Sequence, residues 1–223
     1  EAYNNEVNSM KFLARLDFNI NDQNKLTLRY THHDSEADVN ISSSASLGFG
    51  NRTTRFEAMS YQNSGYIIGD NTRSAVLELN STFSDKISNN FSVGYDFQDE
   101  NRQYKGALFP TIDILKDNAT YISAGFDPFT PDNKLSYGTF HVTDNVSYYA
   151  GKHTITAGFN YERYRSENLF FPGSNAVYIY NSLDDFRAAA NGDSTAVKRF
   201  QYRYSALEGG AAPLQVLNVS KYD

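Results

Sequence analysis

The residues with the most chemical potential stand where an extended stretch runs out. His32 and His33 are followed by Asp34, Glu36 and Asp38. Imidazole and carboxylate side by side can hold a divalent cation. Neighbours on an extended chain point to opposite faces, however, so the two imidazoles diverge and the cluster reads as a solvated strand extension. The segment Asp127-Pro-Phe-Thr-Pro-Asp-Asn133 offers oxygens to Ca2+. It lacks the spaced carboxylates and glycine of an EF-hand loop, and a rigid turn ahead of a strand explains it better. His153 borders a tight turn and reads as water-facing. There is no Gly-x-Ser-x-Gly, no His-Glu-x-x-His and no phosphate-binding glycine loop. The acids are plentiful, but no spacing singles out an acid–base pair. No catalytic residue, metal or cofactor is therefore expected. What remains is Arg15, Arg29, Glu78 and Asp96, each on the polar parity of its own extended segment. These are the candidates for contact with a ligand.

Composition narrows the classes of protein that could carry such residues. The chain has no cysteine and no tryptophan, which excludes disulfides, thiolate metal sites and a cysteine nucleophile. It holds 17 Tyr and 16 Phe, yet its mean hydropathy is -0.57. An aromatic-rich chain that is polar on average must interleave its apolar residues with polar ones, as a sheet with one apolar and one wet face does. A net charge of -6 gives no footprint for nucleic acid. No run of about 18 apolar residues suggests a transmembrane helix. The start, Glu1-Ala-Tyr-Asn-Asn, is not a signal peptide, and the end at residues 217–223 reads as a strand cut partway. The expectation is an internal piece of a longer protein.

The elements that would position the charged residues are three hairpins, at about residues 9–32, 72–98 and 138–166. In the first, Met10, Phe12, Ala14, Leu16, Phe18 and Ile20 alternate with Lys11, Arg15, Asp17 and Asn19, Leu13 being the exception, then Leu26, Leu28 and Tyr30 alternate with polar residues after Asn21-Asp-Gln-Asn24. In the second, Ala75, Leu77, Leu79 and Phe83 precede a turn, and Phe91, Val93, Tyr95 and Phe97 follow it. In the third, Phe140, Val142, Val146 and Tyr148 precede Gly151-Lys152, with Asp144 breaking the apolar parity. Ile155, Ala157, Phe159 and Tyr161 follow. Glycine at the first central position suits a type II′ turn. Pairing Ile20 with Leu26, Phe83 with Phe91 and Tyr148 with Ile155 aligns the apolar faces each time. The expected lipid face is Phe12, Leu16, Phe18, Leu26, Leu28, Leu77, Leu79, Val93, Tyr95, Val146 and Phe159. Tyr30, Tyr95, Phe97, Tyr148, Tyr161 and Tyr164 are candidates for aromatic girdles. Long polar connections cover about residues 32–72, 99–138 and 166–214, with one helix-like patch at Leu183–Ala190 capped by Ser182. That patch reads as a loop helix folded over a barrel mouth. Short turns at one end and long loops at the other are the pattern of an outer-membrane β-barrel, and strands of about 10 residues tilted about 45° would rise roughly 23 Å through its apolar band. The fold class is thus all-β: an antiparallel transmembrane barrel, present in part. Six strands cannot close, because open edges are not tolerated in hydrocarbon.

Several segments also resemble a known family. They are Leu108-Phe-Pro-Thr-Ile-Asp-Ile114, Phe129-Thr-Pro-Asp-Asn-Lys-Leu135, the run from Thr143 to Phe159, Asn168-Leu-Phe-Phe-Pro-Gly173 and Tyr180-Asn-Ser-Leu-Asp-Asp-Phe186. In this order they are similar to the barrel of TonB-dependent outer-membrane receptors of the Oar-like type, common in the Bacteroidetes. The resemblance covers nearly the whole chain, although no single motif is a signature. It implies a barrel of 22 strands around an N-terminal plug, import of an extracellular substrate, and energy passed through TonB. The plug and its TonB-contacting box are not among these residues. A surface lipoprotein partner over the mouth follows only by family analogy. Two rivals stay open on the residues alone: a soluble glycan-binding β-sandwich, and an outer-membrane barrel hydrolase, which would need a Ser–His pair.

Overall fold

The structure is a computed structural model that describes residues 4–44, 52, 56–130, 133–204 and the backbone of 219–222. Among the described residues the elements in chain order are β1 (Val7–Asn21), β2 (Asn24–Val39), β3 (Met59–Ser60), β4 (Tyr66–Ser84), β5 (Ile87–Tyr104), β6 (Thr111–Lys116) and β7 (Ala119–Ala124). Then come β8 (Asn133–Ala150), β9 (His153–Phe170), β10 (Val177–Tyr180), helix α1 (Leu183–Ala190), β11 (Arg199–Gln201) and β12 (Val219–Tyr222). Seven strands form one antiparallel sheet in the order β1-β2-β4-β5-β8-β9-β12. The other five form a second sheet, β11-β10-β6-β7-β3. The sheet is open, with β1 and β12 at its edges.

Period-2 alternation built the large sheet, and its register differs from the sequence expectation at two turns. Phe18, not Ile20, opposes Leu26, and Leu79, not Phe83, opposes Phe91. Both connections are two-residue turns, Asp22-Gln23 and Asp85-Lys86. A bulge just before each turn absorbs Ile20 and Phe83. Both displacements are an even number of residues, so every side chain keeps its face. Asn21 stabilises the first turn, its Oδ1 accepting from the Gln23 amide at 3.0 Å. Tyr148 opposes Ile155 as expected, and Gly151 has φ +63° while Lys152 does not enter the positive region.

Reading across the register separates the two faces row by row. Leu16, Leu28, Leu77, Val93, Val142 and Tyr161 are aligned on six consecutive strands. One residue along, Asp17, Thr27, Glu78, Ser92, Thr143 and Asn160 are aligned on the opposite face. Phe12, Phe18, Leu26, Leu79, Tyr95, Val146 and Phe159 share the face of Leu16. Tyr164 does not belong with the other girdle candidates: it stands on the polar face against Tyr137, with ring centroids 5.9 Å apart. The apolar face is bare, with Leu16 at 67% and Phe159 at 56% of full exposure. A sandwich would bury that face beneath its second sheet.

The apolar band also slides along the register. On β1 it is centred near Ala14, whereas on β9 it is centred near Ala157–Phe159, closer to the turns. The drift is about one residue per strand, which at about 3.3 Å per residue and about 4.8 Å between strands corresponds to a tilt of roughly 35°. Closed barrels tilt their strands by this much.

The strands run past the band at the loop end, to Val39, Tyr66, Tyr104, Asn133 and Phe170. The hairpins therefore cover more than the alternation indicated. The long connections carry the second sheet, which lies at this loop end. Its β6–β7 hairpin turns at Asp117 and Asn118, with φ of 55° and 60°, the two positive values of a type I′ turn. Phe126 is fully buried and packs on Tyr104, ring centroids 4.6 Å apart, fixing the small sheet to the end of β5. Leu115, Phe129, Val177 and Ile179 form the buried apolar core of this unit. Helix α1 forms where expected, with Ser182 Oγ accepting from the Asp185 amide at 3.1 Å. It packs Phe186 edge-on against Tyr180, 5.3 Å between centroids, so it covers the small sheet. Residues 205–214 of the last connection lie outside the described residues.

Candidate functional site

The polar face of the large sheet carries the four sequence candidates, and the structure joins them into separate networks. Asp17 is the hub of the first: Arg15 donates to it through Nε at 2.9 Å and Nη2 at 3.0 Å, Thr27 Oγ1 donates at 2.7 Å, and Lys25 Nζ lies at 3.3 Å. Arg29 and Glu78 meet directly at 3.4 Å. Glu78 also accepts from Asn80 at 2.8 Å and Asn90 at 3.2 Å. Asp96 stands apart from these, 3.4 Å from Nδ1 of His141. The His141 ring lies over Gly94, where an added Cβ would come within 2.4 Å of Nε2. Gly94 thus makes room for the imidazole.

Toward the turns this face becomes a shelf of amides. A cleft of about 600 Å³ is lined by Asn19, Lys25, Asn80, Asn90, Asn145 and Ser147, among others. Asn90 donates to Asn80 Oδ1 at 2.8 Å. Further toward the loops, Tyr137 donates to Gln98 Oε1, and Gln98 donates to Asp70 Oδ1 at 2.9 Å. Carboxylates, amides and hydroxyls alternate as donors and acceptors, and most are exposed. Such a wall can replace the hydration of a polar solute contact by contact.

The histidine cluster resolves as strand geometry requires. His32 faces the apolar side, bonded to Tyr30 at 3.1 Å and to Asp34 at 2.6 Å, and Asp34 takes a hydrogen bond from Arg73 at 2.6 Å. His33 faces the polar side, 3.3 Å from Ser9 Oγ through Nε2. Sequence reasoning missed this Ser–His contact, because residues 24 apart in sequence meet only through the β1–β2 register.

At the loop end a second polar cluster is buried rather than exposed. Arg52 grips Asp113 with Nε at 3.2 Å and Nη2 at 2.7 Å, both side chains being shut off from solvent. Ser123 Oγ adds a third bond to Asp113 at 2.7 Å. Asp127 is equally buried. Its Oδ2 accepts from the Ser42 amide at 2.7 Å and its Oδ1 from the Phe129 amide at 2.9 Å, which makes it the anchor of a turn. Pro131 and Asp132 of the same segment lie outside the described residues. Burial pushes the Asp127 carboxyl above the usual carboxylate range, more than these donors pull it down. Nearby, Lys105 bonds Asp38 at 2.8 Å and, with the Glu6 amide, holds that carboxyl below its usual range. No sequence signal marked Arg52 or Asp113, since a salt bridge spanning 61 residues leaves no local pattern.

The family model of an outer membrane beta barrel domain matches residues 1–208. No curated protein matches the chain, and no solved structure does.

Proposed function

Because the chain belongs to the outer membrane beta barrel domain family and sits in the outer membrane, we propose that it is the wall of a receptor that imports a polar solute across that membrane, driven through TonB. The observation that carries this reading is the polar row Asp17–Thr27–Glu78–Ser92–Thr143–Asn160, one residue from a row of leucine, valine and tyrosine. In a closed barrel the apolar row meets lipid and the polar row faces the lumen. Two further features favour a receptor. The strands rise beyond the apolar band into a folded second sheet, a suitable frame for capturing an external ligand. The segments at 108–114, 129–135, 143–159, 168–173 and 180–186 resemble Oar-like TonB-dependent receptors. On this reading other strands of a larger barrel, 22 in that family, pair with β1 and β12, and a plug fills the lumen. Arg15, Arg29, Glu78 and Asp96 line the path, and no side chain performs catalysis. A surface lipoprotein would cover the mouth.

The test is depletion of solutes from the growth medium by cells expressing the full-length protein, with and without TonB. Depletion that requires both supports the reading. Depletion that persists without TonB contradicts it.

One observation favours a hydrolase instead, the contact between Ser9 Oγ and His33 Nε2. Among the described residues no carboxylate orients the other ring nitrogen of His33, as a nucleophile–base pair would require. Ser9→Ala is expected to leave lipid and peptide hydrolysis by the intact protein at background. A loss of hydrolysis in that variant would favour the enzyme.

A further inference from the structure

The apolar face carries one acid in the middle of its band. On β8 the residues of that face are Phe140, Val142, Asp144, Val146 and Tyr148, so Asp144 has two apolar residues on either side. Across the register it lies between Phe91 and Phe159. Asn89 stands diagonally beside it on β5, on the same face, and donates through Nδ2 to Asp144 Oδ1 at 2.6 Å. The same Nδ2 reaches the Asn145 carbonyl at 3.2 Å. Among the described residues the second oxygen of Asp144 has no partner. Acyl chains offer no donor to such an oxygen, and ionisable side chains facing hydrocarbon are rare for that reason.

We propose that this patch, on β5, β8 and β9, is where a second copy of the same barrel docks within the membrane. Two copies related by a twofold axis along the membrane normal present the same residues at the same depth. The patch holds a donor beside an acceptor, so it is complementary to itself. The second hydrogen of each Asn89 amide turns from the Asn145 carbonyl to the free oxygen of the other copy's Asp144. The result is a closed ring of four hydrogen bonds. Beside it the aligned Val146 and Ala157 are small side chains, so the two faces can approach closely there. Such docking involves the membrane-facing row alone and is independent of whether the barrel transports.

These residues hold no cysteine, and any cysteine elsewhere in the full-length protein is replaced by serine for the test. Ala157→Cys is introduced into the full-length protein, and its outer membranes are oxidised. The expected result is a cross-linked species of twice the mass, with none from Leu16→Cys on distant β1. Adding Asp144→Leu, which removes a polar group from hydrocarbon and so leaves insertion intact, should weaken association about tenfold. Heat-modifiable migration checks that this variant still folds. The proposal is overturned if Ala157→Cys cross-links no more than Leu16→Cys. It is equally overturned if the product joins a different protein, or if Asp144→Leu leaves the dimer unchanged.

Discussion

At the scale of single residues, the two faces make opposite demands on neighbours. Leu77 belongs to the apolar row and Glu78 to the polar row. Leu77→Arg should cost about 2–4 kcal/mol of folding free energy near the midplane, whereas Glu78→Arg should fall well short of that. Urea titration of folding into lipid vesicles measures both. Equal losses would mean the faces are misassigned. In the buried cluster at the loop end, Asp113→Ala strands the Arg52 guanidinium away from water and should cost roughly 3–5 kcal/mol. Rapid protease cleavage within the second sheet would report it, while the membrane strands stay protected. Asp127 has a signed dependence on pH. Its pKa is raised in the folded state, so its contribution to stability is fully present below the ordinary value of 3.8 and is lost as pH rises through the raised value. Protease resistance of the second sheet in wild type, compared with Asp127→Asn, should therefore decline from acid toward neutral pH. The opposite slope would mean that hydrogen bonding, not burial, controls this carboxyl.

At the scale of elements, alternation made the six long strands legible, because one face of each is apolar and the other polar. The turn at Gly151 was legible too, from one glycine ahead of Lys152. Gly151→Val places a β-branched side chain at φ +63° and should cost about 1–2 kcal/mol, seen as a lower urea midpoint for folding into vesicles. An unchanged midpoint would show that the turn tolerates another geometry. The bulges at Ile20 and Phe83 were not legible, since period 2 fixes the face of a residue but not its partner. The second sheet was hidden for a different reason. Its strands are short and buried by one another and by α1, so they show little alternation. Asp117-Asn118 was the available signal, a pair suited to positive φ between Ile112–Leu115 and Thr120–Ile122. The candidate site was legible by face alone. Arg29 and Glu78 come from different hairpins, and only the β2–β4 pairing brings them together.

At the scale of the whole molecule, the drift of the apolar band sets the tilt of the strands at roughly 35°, a tilt that closed barrels share. The bare apolar face, the polar wall and the folded unit at the loop end then take their places relative to a membrane. The direct test of this arrangement is single-cysteine labelling along β4, in the full-length protein in its membrane, with a water-soluble maleimide. Glu78→Cys and Asn80→Cys should label, while Leu77→Cys and Leu79→Cys, on the face proposed to meet lipid, should resist. Equal labelling of all four, or labelling of the leucine positions alone, would contradict the account.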